Sequence, residues 1–529
     1  MNIENIEKLR RKPRRAYKQP INELHFYFKK LWKESKPIAK LFRTDSHGYL
    51  YDTGTNKILK CDDIEYSLLT KLISMDIEEA INKTLSEYTK EQFIEAANKI
   101  RSAIEKENIL QTKKATQFGL SAHFHNIEEL INTSLGMVQL EITEQCNLRC
   151  NYCIYNPFVS DKRNHGNRNM NPSVAKAAID YLTTHSSGKE GVAVTFYGGE
   201  PLLRFPFIKS CVNYAHHTLN KKRHRFSLTT NSTLLTAEMA DFFYHENFSV
   251  VVSIDGPEEI HDDYRKDFRG RGSFKHTILG LKNLIDVFGE GSKERIFLSM
   301  VYTPPYSERK LNRISKLWVE IPWLPKDIPV LITYPHSESI PTEKYPNNSI
   351  LEDKTMLEWA IERYMDYYTG KSELNPIANS IIEEKLARLI QRPIYPKPID
   401  KYYLNGCCIP GVRKIFVSTE GDFHLCERVP STAPKIGNVY SGIDIETIEN
   451  IYIDEYSTKS LPSCSTCWAI QLCPECYVNA FNNGKFDINK KIKNCIIAQY
   501  LTEKYLRFFC KLLDLNPKGL NYLSKWRIE

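Results

Sequence analysis

The stretch "MVQLEITEQCNLRCNYC", residues 137–153, joins an apolar run to three closely spaced cysteines, and it decides the fold. Cys146, Cys150 and Cys153 lie within eight positions of one another. Three thiolates are one too few for a tetrahedral structural zinc site, and one too few for a fully ligated 4Fe–4S cubane. A metal centre built on them would keep one position open, which is where chemistry can take place.

Apolar segments alternate with helical segments downstream of this stretch. Strands are predicted at "MVQLEIT", "VAVTFYG", "RFSLTTN", "SVVVSIDG" and "RIFLSMVY", and helices near 172–185, 205–219, 236–246 and 273–289. Repeated strand–helix units predict parallel strands connected by crossover helices. In such sheets the functional loops follow the carboxyl ends of the strands.

Polar motifs follow these predicted strands at the expected ends. They are "YGGEP" at 197–201, "TTN" at 229–231, "SIDGP" at 253–257 and, shortly after, "HDDYR" at 261–265. Gly198 and Gly199 would let the backbone approach a ligand closely, and Glu200 could accept hydrogen bonds from an ammonium group. Thr229 and Asn231 offer groups suited to a ribose or a carboxylate. The pattern predicts a binding site along one edge of the sheet.

The spacing CX3CX2C, with the aromatic Tyr152 before the last cysteine, resembles the radical S-adenosylmethionine (radical SAM) superfamily. The resemblance implies an α/β fold with a partial (β/α)6 barrel, and a 4Fe–4S cluster held by Cys146, Cys150 and Cys153. S-adenosylmethionine would bind the open iron and be cleaved to a 5′-deoxyadenosyl radical. On the cysteines alone, a zinc site of three cysteines and one histidine is the alternative.

The resemblance also implies a set of cosubstrate-binding residues. Glu200 would bind the methionine amino group, and Arg265 would clamp the methionine carboxylate. The full predicted set is Tyr152, Gly198, Gly199, Glu200, Thr229, Asn231, Ser253, Asp255 and Arg265.

A second group of cysteines lies in the last quarter of the chain. Cys408, Gly421 and Cys426 have the spacing CX12GX4C, and they are followed by CX2CX5CX2C at 464, 467, 473 and 476 and then by Cys495. A zinc ribbon has ~15–20 residues between its CX2C pairs, so the five-residue spacer disfavours that site. The order resembles the SPASM domain, a loop-rich unit with two auxiliary 4Fe–4S clusters. That family has three residues between the last pair of cysteines, whereas this chain has two.

The family arrangement implies which cysteines share a cluster. Cys408, Cys426 and Cys476 would hold the first auxiliary cluster, and Cys464, Cys467, Cys473 and Cys495 the second. Three cubanes with one open iron need eleven thiolates, and the motif cysteines number ten. Either Cys407 supplies the missing ligand or the first auxiliary cluster has an open iron, and we favour the open iron.

Glu427 directly follows Cys426. Sulfatase-maturing relatives have an aspartate base just after the equivalent cysteine, so Glu427 is the candidate catalytic base. A solvated surface glutamate is the alternative.

The composition is that of a globular protein. Of the 529 residues 42% are hydrophobic and 26% charged, the net charge is +8, and no apolar run approaches the ~20 residues of a membrane span. The charged start, "MNIENIEKLRRKPRRAYKQ", is not a secretory signal. We therefore expect a cytoplasmic protein without a membrane partner, whose fourteen cysteines serve metal binding rather than disulfides.

Six segments are predicted along the chain. Residues 1–40 form a basic segment that is a poor candidate for a packed core, and residues 41–115 have a hairpin and about three helices, as in a winged-helix domain. A radical SAM core at 137–335, a connector at 336–400, a SPASM domain at 401–510 and a C-terminal tail at 511–529 follow.

The front domain resembles the peptide-recognition winged helix of maturases that modify ribosomally made peptides. There a leader peptide adds as an extra strand at the edge of the wing. A nucleic-acid-binding winged helix is the alternative, but no cluster of base-reading residues stands out, so we favour a peptide partner.

The sequence predicts a radical SAM/SPASM maturase that abstracts hydrogen from a ribosomal precursor peptide and forms a thioether crosslink from a cysteine. Its cofactors would be S-adenosylmethionine and three 4Fe–4S clusters, with a flavodoxin or ferredoxin as electron donor. Oxidation of a cysteine or serine to formylglycine and carbon–carbon crosslinking are the alternatives within the class. A nucleic-acid-binding iron–sulfur sensor is the alternative from a different class.

Overall fold

The computed structural model describes residues 21–112, 114–119, 126–156, 163–335, 339, 351–403 and 405–526. The first half of the predicted basic segment, residues 1–20, therefore lies outside the described residues. Two separate apolar cores organise most of the rest, a small one in the N-terminal unit and a large one around the central sheet.

The N-terminal unit is a three-stranded antiparallel sheet packed with helices. Its elements are α1 (Ile21–Leu31), β1 (Ala39–Arg43), β2 (Gly48–Asp52), β3 (Lys57–Cys61), α2 (Asp63–Ser74), α3 (Ile77–Glu87) and α4 (Lys90–Glu107). The predicted hairpin is confirmed as β2 and β3, and β1 adds a third strand. The short elements β4 (Gln117–Gly119) and α5 (Ile127–Thr133) lead to the central sheet. Assignment of this unit to the winged-helix class stays a prediction.

Helix α1 corrects one expectation. Leu24 and Phe28 are fully buried, and the Trp32 indole donates to the Leu110 carbonyl at 2.7 Å. The prediction that residues 1–40 stay out of a packed core is therefore wrong for 21–32. Leu24 and Phe28 are four residues apart and share one helix face, which the surrounding basic composition conceals.

Six parallel strands form the central sheet, which confirms the predicted α/β radical SAM fold. They are β5 (Met137–Thr143), β6 (Gly191–Gly198), β7 (Arg223–Thr230), β8 (Phe248–Ser253), β9 (Ile296–Val301) and β10 (Val330–Thr333), neighbours in that order. The helices between and after them are α6 (Pro172–Thr184), α7 (Phe205–Thr218), α8 (Ala237–His245), α9 (Glu258–Tyr264), α10 (Phe274–Phe288), α11 (Ser292–Arg295), α12 (Glu308–Ser315) and α13 (Leu317–Glu320).

The two faces of this sheet differ in polarity. Leu228, Val250 and Met300 point to the helix side and are fully buried. The alternate residues Thr229 and Ser253 are half-buried on the opposite face. Because side chains alternate along a strand, the apolar positions hold the helices and the polar positions line the other face, where a ligand can bind.

The C-terminal region extends the same sheet. Its elements are α14 (Leu351–Tyr368), α15 (Pro376–Gln391), β11 (Lys401–Tyr403), β12 (Ile415–Val417), β13 (Asp422–His424), β14 (Gly437–Asn438), β15 (Gly442–Ile443), α16 (Ile445–Thr447), a π-helix (Ile448–Glu455), α17 (Tyr456–Cys464), β16 (Phe481–Asn482), β17 (Lys485–Phe486) and α18 (Ile488–Leu515). Strand β12 pairs in parallel with β5, and β13 to β15 follow it in antiparallel pairs. Cys426, just after β13, is thereby brought close to the first strand of the core.

Helix α18 docks the N-terminal unit. It has 28 residues, and it begins in the predicted SPASM domain and ends in the predicted tail. Near its end Asp514 accepts hydrogen bonds from the Tyr49 hydroxyl at 2.6 Å and from the Thr44 hydroxyl and Lys60 ammonium, both at 2.9 Å. A search of the described helices finds none with the length and apolar character of a membrane span.

The hairpin tip between β2 and β3 is buried against the C-terminal region. Thr53, Thr55 and Asn56 have no exposed surface. The Thr53 hydroxyl donates to the Trp468 carbonyl at 2.9 Å, and Arg392 donates to the Asn56 carbonyl at 2.9 Å. The tip therefore packs on the segment between Cys467 and Cys473.

Candidate active site

The three core cysteines lie on the loop that follows β5. The Cys153 amide donates to the Cys150 carbonyl at 3.0 Å, and the amides of Leu148 and Tyr155 donate to the sulfurs of Cys146 and Cys153, both at 3.4 Å. Burial raises the pKa of Cys146 and of Cys153 to about 12 and also raises that of Cys150. The free thiols are neutral, and iron binding would have to displace their protons.

The two glycines of "YGGEP" allow two backbones to approach each other. A Cβ atom on Gly198, whose φ is +136°, would lie 2.1 Å from the Thr143 carbonyl, and one on Gly199 would lie 2.1 Å from the Gln145 carbonyl. The Glu200 amide donates to the same Gln145 carbonyl at 2.8 Å. The close approach seen here is made to the backbone of the cysteine loop, whereas the predicted approach to a ligand stays a prediction.

Glu200 is almost fully buried at the end of β6. Its carboxylate accepts hydrogen bonds from the Leu202 amide at 2.9 Å, the Thr230 hydroxyl at 2.7 Å and the Asn231 amide at 2.8 Å. Burial raises its pKa above the ordinary value. A carboxylate has about four acceptor positions, so one remains for a further donor such as an ammonium group.

The last two residues of β7 point to opposite faces of the sheet. Thr230, which the sequence analysis did not select, contacts Glu200, whereas the predicted Thr229 faces the polar side of the sheet. The Asn231 amide group donates to Asn147 at 3.0 Å and lies 3.9 Å from the Cys146 sulfur. The side-chain alternation of the strand is the signal that would have separated Thr229 from Thr230.

Tyr152, Asp255 and Arg265 form a buried chain of hydrogen bonds. The Tyr152 hydroxyl donates to Asp255 at 2.6 Å and accepts from Arg265 at 2.7 Å. The Nε atom of Arg265 is buried and has no hydrogen-bond partner among the described residues. This series of hydrogen bonds holds the Arg265 guanidinium close to Cys150 with its Nε donor free. The charge of Arg265 lowers the pKa of the Cys150 thiol, but burial raises that pKa by more.

The cysteines predicted for the first auxiliary cluster are neighbours in the structure. Burial raises the pKa of Cys476 to about 11, and Cys426 and Cys408 are close enough to influence it. Burial raises the pKa of the Cys407 thiol and the charge of Cys476 raises it further, so Cys407 joins this group. The Cys407 thiol itself donates to the Glu475 carbonyl at 3.9 Å. Four thiols therefore lie around this position.

The cysteines predicted for the second auxiliary cluster also come together. Burial raises the pKa of Cys473 to about 12, with contributions from Cys467 and Cys464, and Cys464 raises that of Cys495. In the part of the chain that the structure describes, no three His, Cys, Asp or Glu side chains converge as a single metal ion requires. A cubane attaches its thiolates to separate irons, so the absence of a single-ion site does not bear on the auxiliary clusters, which stay a prediction.

Glu427 is held in an ion pair beside Cys426. Its carboxylate lies 2.5 Å from the Lys414 ammonium, and its side chain is 19% exposed, so it is not a solvated surface residue. Burial opposes its ionisation, but Lys414 lowers its pKa below the ordinary value.

A second ion pair near Glu427 escaped the sequence analysis. Arg163 lies 3.6 Å from Glu141 of β5 and donates to the Glu427 carbonyl at 2.9 Å. The Tyr155 hydroxyl also donates to Glu141, at 2.6 Å. Gln139 and Glu141 at alternate positions of an otherwise apolar strand were the available signal for a polar face.

Comparison with known proteins places these observations in a family. The model of the Radical SAM superfamily matches residues 140–317. A cysteine-type anaerobic sulfatase-maturating enzyme of Clostridium perfringens (strain 13 / Type A) is 35% identical over 335 residues, 62% of this chain and 84% of that protein. A serine-type anaerobic sulfatase-maturating enzyme of Bacteroides thetaiotaomicron is 34% identical over 146 residues, 27% of this chain and 34% of that protein.

One solved structure shares the fold. It is described as native anSMEcpe with bound AdoMet and Cp18Cys peptide, and it aligns with a TM-score of 0.53 and 20% identity. The alignment covers 74% of this chain and 100% of that one.

Proposed function

The chain belongs to the radical SAM superfamily, and on that premise we propose that it abstracts hydrogen from a ribosomally made precursor peptide and forms a thioether crosslink from a cysteine. Enzymes of this superfamily use S-adenosylmethionine and a 4Fe–4S cluster. When bound, the reduced cluster cleaves S-adenosylmethionine to the radical that abstracts the hydrogen. The electron would come from a donor such as a flavodoxin or a ferredoxin.

The residues of the first site have distinct tasks in this proposal. Cys146, Cys150 and Cys153 hold the catalytic cluster, and Glu200 binds the methionine ammonium with its remaining acceptor position. The unpaired Nε of Arg265 binds the methionine carboxylate, as its burial and its fixed geometry favour a charge-assisted bond. Thr229 and Ser253 lie on the polar side of the sheet and, together with Asn231, contact the part of S-adenosylmethionine beyond its methionine ammonium and carboxylate.

The C-terminal cysteines hold two auxiliary clusters in this proposal. Cys408, Cys426 and Cys476 bind the first, whose fourth iron stays open; Cys407 as the fourth ligand is the alternative. Cys464, Cys467, Cys473 and Cys495 bind the second. The grouping of the thiols in the fold supports this division.

The leader of the precursor peptide would bind at β3 of the N-terminal unit. The outer edge of β1 is closed by α18, since Arg507 donates to the Arg43 carbonyl at 2.9 Å and Lys40 pairs with Glu503 at 2.6 Å. Strand β3 pairs with no further strand on its outer side among the described residues. An extended peptide could therefore add there through main-chain hydrogen bonds.

The observation that carries the proposal is a chain of contacts between the candidate base and the catalytic cysteine loop. Arg163 donates to the Glu427 carbonyl at 2.9 Å and lies 3.6 Å from Glu141, and the Tyr155 hydroxyl donates to the same Glu141 at 2.6 Å. The Tyr155 amide in turn donates to the Cys153 sulfur at 3.4 Å. A peptide held along this chain could meet both the radical and the base.

Formylglycine formation is the second candidate. It is favoured by the 35% identity to a protein described as a cysteine-type anaerobic sulfatase-maturating enzyme, and by Glu427 at the position of that family's base. The two reactions differ in their product. A thioether keeps the sulfur of the cysteine and loses two hydrogens, whereas formylglycine formation from cysteine removes the sulfur and leaves an aldehyde.

The test uses the full chain, reconstituted with iron and sulfide and reduced without oxygen. We expect S-adenosylmethionine to be converted to 5′-deoxyadenosine and methionine, and Cys150→Ala to abolish the conversion through loss of the catalytic cluster. Mass spectrometry of a cysteine-bearing peptide encoded beside the gene then identifies the product. Wild-type protein that carries its clusters but does not cleave S-adenosylmethionine would instead indicate an iron–sulfur sensor.

A further inference from the structure

One face of α18 is turned to the second group of auxiliary cysteines. Lys491, Cys495 and Gln499 are spaced by four residues and therefore lie on the same side of the helix. Lys491 is only 4% exposed, which is unusual because lysine is almost never buried without a partner of opposite charge.

No described carboxylate lies within ion-pair distance of Lys491, although Glu475 is close enough for the Lys491 charge to oppose the rise of its pKa on burial. The Lys491 ammonium donates to the Ser460 hydroxyl at 2.7 Å and to the Cys464 sulfur at 3.5 Å, and it lies 4.7 Å from the centre of the Tyr456 ring. No ion pair among the described residues involves it. The neighbouring carboxylate, that of Glu475, accepts a hydrogen bond from Asn479 at 3.1 Å.

Gln499, further along the same face of α18, also hydrogen-bonds to a cysteine sulfur. Its amide group donates to the Cys467 sulfur at 3.6 Å. Two of the four cysteines thus receive a hydrogen bond to sulfur from α18, one of them from a charged donor. A buried ammonium without a counter-charge is strongly unfavourable, so its retention here requires a negative group.

We propose that Lys491 supplies the charge that balances the second auxiliary cluster and, with Gln499, raises its reduction potential; this rests on the proposed function. A cubane with four thiolate ligands has a net negative charge, which grows on reduction. A fixed positive charge and hydrogen bonds to the ligand sulfurs stabilise the reduced form more than the oxidised form. Lys491 is a positioning residue, since it contacts a cluster ligand and not the substrate.

The experiment is a redox titration of the reconstituted full chain, followed by electron paramagnetic resonance. In Lys491→Met we expect the ratio of reduced to oxidised second auxiliary cluster at a fixed potential to fall at least tenfold, about 59 mV for one electron. Gln499→Leu should shift it less in the same direction, and Lys491→Arg should stay near wild type. Lys493→Met, at an exposed position of the same helix, is the matched control and should have no effect.

A second measurement is made on the protein without clusters. There the Lys491 ammonium has no ion-pair partner among the described residues, so Lys491→Met should raise the denaturant midpoint, whereas the exposed Lys493→Met should leave it unchanged. A merely structural role for Lys491, in contrast, predicts a lower midpoint in Lys491→Met.

The outcomes separate this inference from the proposed function. Lys491→Met that keeps about twelve irons with an unshifted potential overturns the inference alone. Loss of about four irons in Lys491→Met but not in Lys491→Arg supports it, because the charge then retains the cluster. Wild-type protein with only about four irons overturns the auxiliary clusters and this inference together.

Discussion

Removal of one hydroxyl, in Tyr152→Phe, tests the construction of the cosubstrate site. Among the described residues, this hydroxyl alone hydrogen-bonds to both the Asp255 carboxylate and the Arg265 guanidinium, at 2.6 and 2.7 Å. The phenyl ring keeps the volume and the contact with the Tyr264 ring, whose centre is 6.0 Å away. The substitution therefore removes two hydrogen bonds and little else.

The expected magnitude follows from the charge of both partners. Hydrogen bonds to charged groups contribute about 1.5–3 kcal/mol each. Without the hydrogen bond to the Tyr152 hydroxyl, the Arg265 guanidinium is no longer held in place, and we expect it to lose about one such bond to the methionine carboxylate. This loss weakens S-adenosylmethionine binding by about 10–150-fold. The cluster should be retained, because Cys146, Cys150 and Cys153 are unchanged.

The assay is equilibrium binding of S-adenosylmethionine to the oxidised, reconstituted protein, with the iron content measured on the same sample. Tyr264→Phe is the matched control, since its hydroxyl donates to the neutral Pro304 carbonyl at 3.0 Å. Equal dissociation constants for wild type and Tyr152→Phe at equal iron content would refute the role given to Arg265. So would an equal loss of affinity in Tyr264→Phe.

Three further predictions concern stability and cluster content. Burial lowers the pKa of His261, and the charge of Arg265 lowers it further. Below pH ~6.5 the unfolded chain therefore binds a proton at this histidine that the folded chain does not bind, and stability is lost as the pH falls. Between pH ~7.5 and ~5.5 the unfolding free energy of the cluster-free protein should fall by about 1.4 kcal/mol more in wild type than in His261→Gln, and equal slopes in denaturant titrations would contradict this. Asp514→Ala removes the half-buried contacts with Tyr49 and Lys60. It should destabilise the docked N-terminal unit by about 1.5–3 kcal/mol, seen as faster limited proteolysis, whereas Asp45→Ala at an exposed pair should change its stability by less than about 1 kcal/mol. Cys407→Ala should keep about twelve irons and most crosslinking activity, and loss of about four irons would instead make Cys407 the fourth ligand.

The core was predictable because its periodicity is strong. The helix predicted near 205–219 is Phe205–Thr218, and the one near 273–289 is Phe274–Phe288. Strand β1, "AKLFR", was missed because its polar residues interrupt the alternation, and it is stabilised by pairing with β2 rather than by its own apolar pattern. The spacing of apolar residues predicts a helix or strand only where those residues are the buried ones.

The candidate site was predictable at the level of strand ends but not of partners. The rule that functional loops follow parallel strands selected Glu200, Asp255 and Arg265, which lie together in the structure. The hydrogen bond between Tyr152 and Asp255 joins residues 103 positions apart, and no local signal specifies it. Lys491 was missed for the same reason, since a lysine on a helix is ordinarily solvated.

The docking of the N-terminal unit on α18 has a consequence for the order in which the protein assembles. The ribosome makes β1 to β3 first, but their partner helix begins only at Ile488, more than four hundred residues later. At about 5–20 residues per second, the surface around Tyr49 and the hairpin tip remains uncovered for about 20–90 s. Until α18 is made, the cysteines at 464–476 have no completed pocket, because the tip, α18 and the predicted ligand Cys495 are not yet together. Iron insertion at this position would therefore follow the synthesis of α18, which supplies both Cys495 and the docking contact at Asp514.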